Sequence, residues 1–329
     1  MTRFVLKRLA GAVLVLLALS VLVYALFYVA PGDPARLACG ERCNPQQIAQ
    51  VRERLGLNES VVAQYLHFLQ GVFTGRDYST GTSVVHCDAP CLGLSYQNDQ
   101  QVTRLILERL PATASLALGA LVVWLVIGVG TGLLSALRRG GPTERILTVL
   151  TLAATGTPVF ILGLLLLMVV CAYLQWLPFP SYVPLGEDPE QWAWNMLLPW
   201  LTLGFFESAK YARLTRSSTL ETLAEDHIRT FRAYGVGERA VVTRHALRGA
   251  VPPVIAISAV DLGYMFGGAV LTESLFGIPG LGKTLHEGVR SIDLPVVVGV
   301  VMVMGVAVVL AGVVADLLYA AADRRVVLT

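Results

Sequence analysis

The sequence predicts an all-α membrane protein that crosses the bilayer as six transmembrane helices. Apolar residues make up 55% of the 329 residues and charged residues only 15%, which is too little charge for an ordinary soluble domain. Six stretches reach or approach the roughly 20 apolar residues that a helix needs to cross the hydrocarbon core. A helix is the expected form because unpaired backbone amides are too costly in lipid. The predicted spans are residues 9–30, 111–137, 146–177, 192–212, 249–271 and 294–322.

The first span follows a basic start, Arg3, Lys7 and Arg8, as the core of a signal peptide does. Its 22 uncharged residues exceed the about 7 to 15 residues of a signal-peptide core, so we expect a retained helix. Basic residues recur at every second connection, whereas the connection at 175–191 carries acidic residues and no Lys or Arg. Because Lys and Arg collect on the cytoplasmic side, this alternation predicts a multi-pass protein of the cell membrane with both termini in the cytoplasm.

A polar insertion follows the first span and is predicted to form an extracytoplasmic cap of helices and loops. It opens with the turn sequence Pro-Gly-Asp-Pro. Asn44-Pro45 predicts a helix through residue 54, and a second, partly amphipathic helix starts near residue 57. The apolar face of this second helix could lie on the membrane surface or under a partner. The predicted domains are the N-terminal helix at 1–30, the cap at 31–110 and a core of five spans at 111–329.

Four of the five cysteines lie in the cap, in two pairs with three residues between partners: Cys39 with Cys43, and Cys87 with Cys91. In an oxidising compartment two disulfides are expected, and the local pairs are favoured, although four cysteines allow three pairings. A structural zinc or iron–sulfur site is disfavoured because the usual C-x-x-C spacing is missing. The fifth cysteine, Cys171, lies in the third predicted span, where we expect it to pack as a small apolar residue.

A polar island at residues 225–248 interrupts the apolar sequence between the fourth and fifth spans. Apolar side chains recur at helical spacing, arginines lie between them, and Gly235 and Gly237 divide the pattern into two short helices. Such a helix-turn-helix cannot sit in lipid and must project into water on the basic, cytoplasmic side. The plain alternative is a positive-inside loop that only orients the protein, but such a loop would need neither the glycine break nor the apolar stripe.

Several motifs, in order along the chain, resemble the ABC importer permeases of the dipeptide, oligopeptide and nickel branch. They are PGDP after the first span, ERLPATASLALGAL at 108–121, ARLTRSSTLETLAEDHIRT at 212–230, RTFRAYG and HALR in the polar island, GGAVLTESLFGIPGLGK at 267–283 and DLLYAAADRR at 316–325. The resemblance implies the type I ABC importer permease fold. It also implies partners: a second homologous permease subunit, two ABC ATPase subunits and an extracytoplasmic solute-binding protein, assembled in membrane lipid.

The resemblance further implies that residues 216–248 form the loop that couples the permease to its ATPases. The chain is expected to hold no Walker A sequence, so that ATP and Mg2+ are bound by the partner ATPase subunits and no cofactor is bound here. Phe231 and Tyr234 would fill a groove on the ATPase, while arginines meet its acidic rim. The outer turn at 276–283 would contact the binding protein. The implied coupling residues are Glu225, Asp226, Arg229, Thr230, Phe231, Arg232, Ala233, Tyr234, Gly235, Arg239 and His245.

Charged residues inside the predicted spans are candidates for function because their uncompensated burial is expensive. Asp261 could line the solute path and meet a peptide ammonium group, or it could make a structural hydrogen bond to a neighbouring helix; both interpretations stay open. Glu207 and Lys210 stand three residues apart, a spacing that favours local charge neutralisation over solute binding. Asp316, close to the final basic cluster, is expected to be structural.

The sequence shows neither a catalytic constellation nor a metal-binding pair of histidines, and the polar island is too short and too poor in aromatic residues to indicate nucleic-acid binding. The predicted function is a non-enzymatic permease subunit of an ATP-driven importer of di- or oligopeptides, forming half of the translocation pathway. The nearest alternative is the same machinery carrying nickel or another small solute. An ion-driven secondary transporter would show inverted repeats with paired broken helices, which the sequence lacks. An intramembrane enzyme would need the missing catalytic set.

Overall fold

The computed structural model describes residues 2–28, 35–36, 44–54, 58–79, 84–95 and 97–322. The described chain is mainly helical, with one short antiparallel hairpin in the cap. Its elements are α1 (Thr2–Tyr28), α2 (Pro45–Arg54), α3 (Val61–Thr74), β1 (Arg76–Ser79), β2 (Val84–Cys87), α4 (Val102–Leu137), α5 (Pro142–Gly156), α6 (Val159–Leu166), α7 (Pro189–Ala224), α8 (Asp226–Ala233), α9 (Glu238–Ala240), α10 (Leu247–Gly268), α11 (Val270–Leu275), α12 (Leu281–Arg290) and α13 (Leu294–Ala322). Two π-helical stretches, Leu167–Tyr173 and Val241–Ala246, extend α6 and join α9 to α10.

Several helices of the described chain are long and apolar enough to cross a membrane. The bent pair formed by α5 and the extended α6 adds a fifth crossing if it is one span. Helix α7, 36 residues long, occupies the predicted fourth span, but it carries several charged residues and is not among these helices. The all-α membrane core is therefore confirmed, whereas the count of six crossings stays a prediction. The four qualifying helical segments are Arg8–Leu26, Val102–Leu137, Glu238–Gly267 and Leu294–Leu318.

The third predicted span, residues 146–177, is wrong as a single helix. Helix α5 ends at Gly156 and α6 begins at Val159, and the two are bent by 103°. Pro158 has no N–H and disfavours helical geometry in the residue before it, so Thr157 is extended, with φ −99° and ψ 123°. The continuous apolar composition of this region conceals the break, because composition does not depend on where a proline stands.

The main core lies where α4 and α7 pack along each other. Trp124 of α4 is fully buried and stacks on buried Tyr211 of α7, with 5.9 Å between the ring centroids. The indole N–H of Trp200 donates to the carbonyl of Ser115 at 2.9 Å, which joins the same two helices nearer to their other ends. This core therefore fixes α7 against α4 along much of its length. The same buried cluster includes Leu116, Cys171, Met196, Val254 and Phe276, so Cys171 is a packing residue, as predicted.

Helix α13 packs against α10 on one side and against α1 on the other. The guanidinium of Arg8 pairs with the Asp316 carboxylate at 2.6 Å, which ties the first helix to the last. Asp316 thus has the structural partner expected for it. The predicted bounds of the last span, 294–322, agree with those of α13.

The cap packs on α1 through its second helix, α3. The ring of Tyr24 lies 5.5 Å from the ring of Tyr65 and 5.9 Å from the ring of Phe68. The hydroxyls of Tyr65 and Ser20 are hydrogen-bonded at 2.7 Å. Helix α2 has the predicted bounds at 45–54, whereas α3 begins later than predicted, because the Ser60 side chain caps it by accepting the Ala63 N–H.

A two-stranded hairpin in the cap was not predicted, so the expectation of only helices and loops there is wrong. Strands β1 and β2 pair antiparallel, with Asp77 opposite His86. Cys87, at the end of β2, forms a disulfide with Cys91, and their Cα atoms are 5.6 Å apart. The local pairing is therefore confirmed for these two cysteines. Cys39 and Cys43 lie outside the described residues.

Candidate functional site

The polar island forms a helix-turn-helix that joins α7 to α10. Only Glu225, in extended geometry with φ −68° and ψ 150°, separates α7 from α8. Gly235 has φ +75°, a conformation that residues with a Cβ rarely adopt, and the chain turns there. The predicted glycine break is confirmed, but the second helix is not short. It runs from α9 through the π-helical stretch into α10 without interruption.

One side of the polar island packs against the rest of the chain. Ile228 and Val241 are fully buried. The Phe231 ring stacks on the His245 imidazole, with centroids 3.9 Å apart and planes at 25°. Phe231 was expected to fill a groove on a partner, yet its ring stacks on this chain's own histidine. The stack holds α8 against the start of the long helix that leads into the membrane.

The other side of the polar island is exposed and charged. Tyr234, at the turn, is 82% exposed. Arg232 donates two hydrogen bonds to the Glu238 carboxylate, at 3.0 and 2.6 Å, across the turn; these bonds raise the pKa of the guanidinium. Arg229 pairs with Asp226 at 3.5 Å. The fold thus gathers most of the predicted coupling residues on this exposed side, whereas Phe231 and His245 lie on the packed side. Glu225, Thr230, Ala233 and Arg239 are also exposed there.

A cluster of polar side chains, which we call the intramembrane cluster, lies between α7 and α10; it comprises Glu207, Lys210, Tyr211 and Asp261. The Tyr211 hydroxyl donates to Oδ2 of Asp261 at 2.6 Å, and the Lys210 ammonium pairs with the same oxygen. Lys210 also pairs with Glu207 Oε2 at 3.6 Å, so the predicted local pair is present. The interhelical hydrogen bond considered for Asp261 is present too. The shared lysine could not be predicted, because α7 and α10 are distant in sequence.

We call α11, α12 and the turn between them, residues 270–290, the glycine hairpin. The carboxylate of Glu273 holds this hairpin together. Glu273 is fully buried. Its Oε1 accepts the Thr113 hydroxyl of α4 at 2.7 Å, and its Oε2 accepts the backbone N–H of Lys283 at 2.8 Å. The Thr113 Oγ1 in turn accepts the N–H of Leu281 at 2.8 Å. One carboxylate therefore fastens the start of α12 to both α11 and α4.

Glycine is required at position 280 by this carboxylate. A Cβ there would lie 2.2 Å from Oε1 of Glu273, closer than any real contact. A buried carboxylate is tolerated only when hydrogen bonds replace its hydration, and a side chain at position 280 would displace the carboxylate from its donors, Thr113 and the Lys283 N–H. Glu273 was not among the predicted site residues. An acidic residue in an apolar stretch, followed by a glycine-rich turn, was the signal that could have indicated it.

Residues 277–284, GIPGLGKT, spell G-x-x-x-x-G-K-T, so the expectation that the chain holds no Walker A sequence is wrong at the level of the letters. In a P-loop this turn follows a strand, and its backbone amides bind phosphate. Here the turn follows helix α11, and the backbone N–H of Lys283 binds the Glu273 carboxylate. The chain's own carboxylate occupies the position that a phosphate would need.

The cap is fastened to residues 291–293, which directly follow the glycine hairpin. Asp293, between α12 and α13, is 2% exposed and accepts the Ser95 hydroxyl at 2.5 Å. The side-chain amide of Gln97 donates to the Ser291 carbonyl at 3.1 Å. A buried and an exposed hydrogen bond thus join the cap to the end of the glycine hairpin.

Two family profiles match nearly the entire chain. Residues 1–117 match the N-terminal part of the binding-protein-dependent transport system membrane component, and residues 128–328 match the binding-protein-dependent transport system inner membrane component. A protein of Brucella abortus named as a peptide transport system permease is 35% identical over 326 residues, 99% of each chain. The glutathione transport system permease protein GsiC of Escherichia coli K12 is 34% identical over 326 residues, again 99% of each chain.

The fold is shared with a solved structure, the MetNI methionine ABC transporter in an inward-facing conformation. The match has a TM-score of 0.53 and 17% sequence identity, and it covers 68% of this chain and 98% of the MetNI chain. At this identity the likeness shows the fold alone, and it confirms the predicted ABC importer permease fold. The chain therefore belongs to the family of inner-membrane components of binding-protein-dependent transport systems, the permeases of ABC importers.

Proposed function

We propose that this chain forms half of the translocation pathway of an ATP-driven importer of di- or oligopeptides. Its full-length similarity to permeases named for peptide and for glutathione transport supports this substrate class, since glutathione is itself a short peptide. The observation that carries the proposal is the polar island, an exposed helix-turn-helix continuous with α7 and α10. A partner that moves the polar island moves two membrane helices with it.

Coupling, in this proposal, takes place on the exposed side of the polar island. Two ABC ATPase subunits bind beneath this chain and a second homologous permease, and they hold the ATP and Mg2+. Tyr234 enters a groove on the ATPase, and Arg229, Arg232 and Arg239 meet its acidic rim. This chain is then a non-catalytic subunit. The turn at 277–284, which has the letters of a Walker A sequence, supports the assignment of ATP binding to the partner subunits. Its Lys283 backbone N–H already binds the Glu273 carboxylate instead of a phosphate.

The solute-binding protein docks at the opposite end of the molecule, on the cap and the glycine hairpin. The distribution of basic residues supports this orientation, with the polar island and both termini in the cytoplasm. The disulfide between Cys87 and Cys91 fits a cap in an oxidising compartment. The hydrogen bonds from Ser95 and Gln97 would transmit docking on the cap to the hairpin beneath it.

Reconstitution of the complete transporter in proteoliposomes tests this proposal. We expect the binding protein to deliver a labelled di- or tripeptide that accumulates with ATP, and we expect the same peptide to stimulate ATP hydrolysis. Nickel, offered in place of the peptide, is the matched test of the small-solute alternative. Accumulation of nickel without peptide would overturn the substrate class, and failure of every offered solute to stimulate ATP hydrolysis would overturn the importer assignment.

A further inference from the structure

The depth of the intramembrane cluster follows from the helices that carry it and their neighbours. Helices α7 and α10 touch near the polar island, where a Cβ at Gly249 would lie 2.7 Å from the Thr222 methyl group. Lys210 precedes Thr222 by 12 residues, and Asp261 follows Gly249 by 12 residues. At 1.5 Å per residue, both lie about 18 Å from this contact. Trp124, the middle residue of the predicted span 111–137, stacks on Tyr211, and Asp261 stands near the middle of the predicted span 249–271. We therefore place the cluster near the midplane, which requires the fourth span to extend beyond its predicted end at residue 212.

The cluster carries an excess of negative charge. It contains two carboxylates, those of Glu207 and Asp261, and one ammonium group, that of Lys210. Asp261 receives both the Lys210 ammonium and the Tyr211 hydroxyl on one oxygen. Glu207 reaches Lys210 only at 3.6 Å, which is longer than a hydrogen bond. Glu207 is therefore the carboxylate with the greater capacity to accept another cation.

The cluster opens onto a face that the described helices of this chain leave uncovered. The Lys210 side chain is 45% exposed, and on α10 Ile257 and Tyr264 are 36% and 59% exposed beside it. An unbalanced charge facing hydrocarbon at the midplane is costly. The face must therefore meet either water or a group of opposite charge. A water-filled path between two permease subunits provides such an environment.

We propose that the intramembrane cluster is a cation-preferring station of the translocation path, at which Glu207 binds the ammonium group of a passing solute. The inference rests on the proposed function, because it requires this face to line the path. A peptide N-terminus or a lysine side chain supplies an ammonium group of this kind. Lys210 neutralises Asp261 and leaves a single net charge, so the station attracts a cation without retaining it. Weak binding of this kind is what a conducting site needs.

Charge-selective thiol labelling tests the station and does not require the solute to be identified. Tyr264 is exposed and lies three residues after Asp261, so Tyr264→Cys places a thiol beside the cluster. The assembled transporter in nanodiscs is treated with a cationic or an anionic methanethiosulfonate, and mass spectrometry follows the reaction at position 264. Relative to a free thiol in solution, we expect the rate ratio to favour the cationic reagent about fivefold. This corresponds to an attraction of about 0.5 kcal/mol for the cationic reagent and an equal repulsion for the anionic one.

Glu207→Gln should return this ratio to that of the free thiol, and Lys210→Met should raise it further. Glu221→Gln removes an exposed carboxylate elsewhere on α7 and should leave the ratio unchanged. An unreactive thiol at position 264 would place the face against lipid or protein and overturn the proposal. The same ratio with and without Glu207 would also overturn it. Because labelling is independent of uptake, failure here is distinguishable from failure of the peptide-import proposal.

Discussion

The glycine hairpin and the polar island are both turns between helices, yet their charged groups are held in opposite ways. In the glycine hairpin the Glu273 carboxylate is fully buried and binds Thr113 and the backbone of Lys283. In the polar island the Glu238 side chain is 60% exposed and binds Arg232, which is 41% exposed. The first turn is fixed by groups inside the chain, whereas the second leaves its charges available to a partner.

The difference has an energetic consequence. Removing one member of a buried hydrogen-bonded group leaves the other members unsatisfied, at about 1–3 kcal/mol each. An exposed ion pair contributes about 0–1 kcal/mol, because water and salt screen it. We therefore expect the glycine hairpin to be rigid in the isolated permease. In the polar island the packed side is already held by buried Ile228 and Val241, and we expect the exposed side to become fixed by the protein that binds it.

The largest effect is expected from Glu273→Ala. The Thr113 hydroxyl and the Lys283 N–H lose their acceptor in a buried site, so the free energy of unfolding should fall by about 3 kcal/mol. The measurement is the melting temperature of the purified transporter, followed by tryptophan fluorescence. Glu287→Ala is the matched control, because that side chain is 64% exposed on the same hairpin. Equal melting temperatures for the two variants would show that the buried Glu273 carboxylate contributes no more to stability than the exposed Glu287 carboxylate does.

Removing the cap disulfide should have an intermediate effect. The double variant Cys87→Ser, Cys91→Ser frees a short loop, and loop-closure entropy predicts a loss of about 2 kcal/mol in the stability of the cap. Peptide uptake should fall, while the ATPases stay bound, because the polar island is untouched. Cys171→Ser controls for loss of a thiol elsewhere in the chain. Alkylation of Cys87 and Cys91 in the non-reduced wild-type protein, seen by mass spectrometry, would contradict the disulfide.

The ion pair of the polar island should contribute much less to stability. A double-mutant cycle with Arg232→Ala and Glu238→Ala is expected to give a coupling free energy below about 1 kcal/mol in the permease without its ATPases. The coupling should weaken further as salt is added. A value as large as that of the Glu273 variant would show that the polar island is fixed from within, as the glycine hairpin is.

The smallest effect concerns pH and the cap hairpin. The hydrogen bond to Asp77, at 2.5 Å, raises the pKa of His86 above its ordinary value of 6.5. A raised pKa means that the contribution to stability is complete below pH 6.5 and is lost as the pH rises through the higher folded-state value. The protection factors of the β1 and β2 amides, which correct the exchange rates for the pH dependence of the intrinsic rate, should therefore fall slightly across that range. Asp77→Asn should abolish this dependence; if it persists, another group is responsible.

The sequence predicted those parts of the molecule that depend on local pattern. Apolar length located the membrane helices, and glycine spacing located the turn of the polar island. Groups that meet across the fold left no such pattern: Thr113 and Glu273 are 160 residues apart, and Tyr211 and Asp261 are 50 apart. The Walker-like letters at 277–284 show the converse, since a short motif has no fixed meaning until its neighbours are known. At this turn the buried Glu273 carboxylate binds the backbone N–H of Lys283, so the letters do not describe a phosphate-binding loop.

The central claim is that the polar island couples this permease to separate ATPases, and solute-stimulated ATP hydrolysis by the reconstituted transporter tests it most directly. Phe231→Asp breaks the stack on His245, and Gly235→Trp places a large side chain at a residue with φ +75°. Tyr234→Ala removes an 82% exposed ring without disturbing the buried side. We expect all three variants to insert normally and to lose stimulation and uptake, with the larger losses in the first two. Wild-type stimulation and uptake in all three would contradict the account.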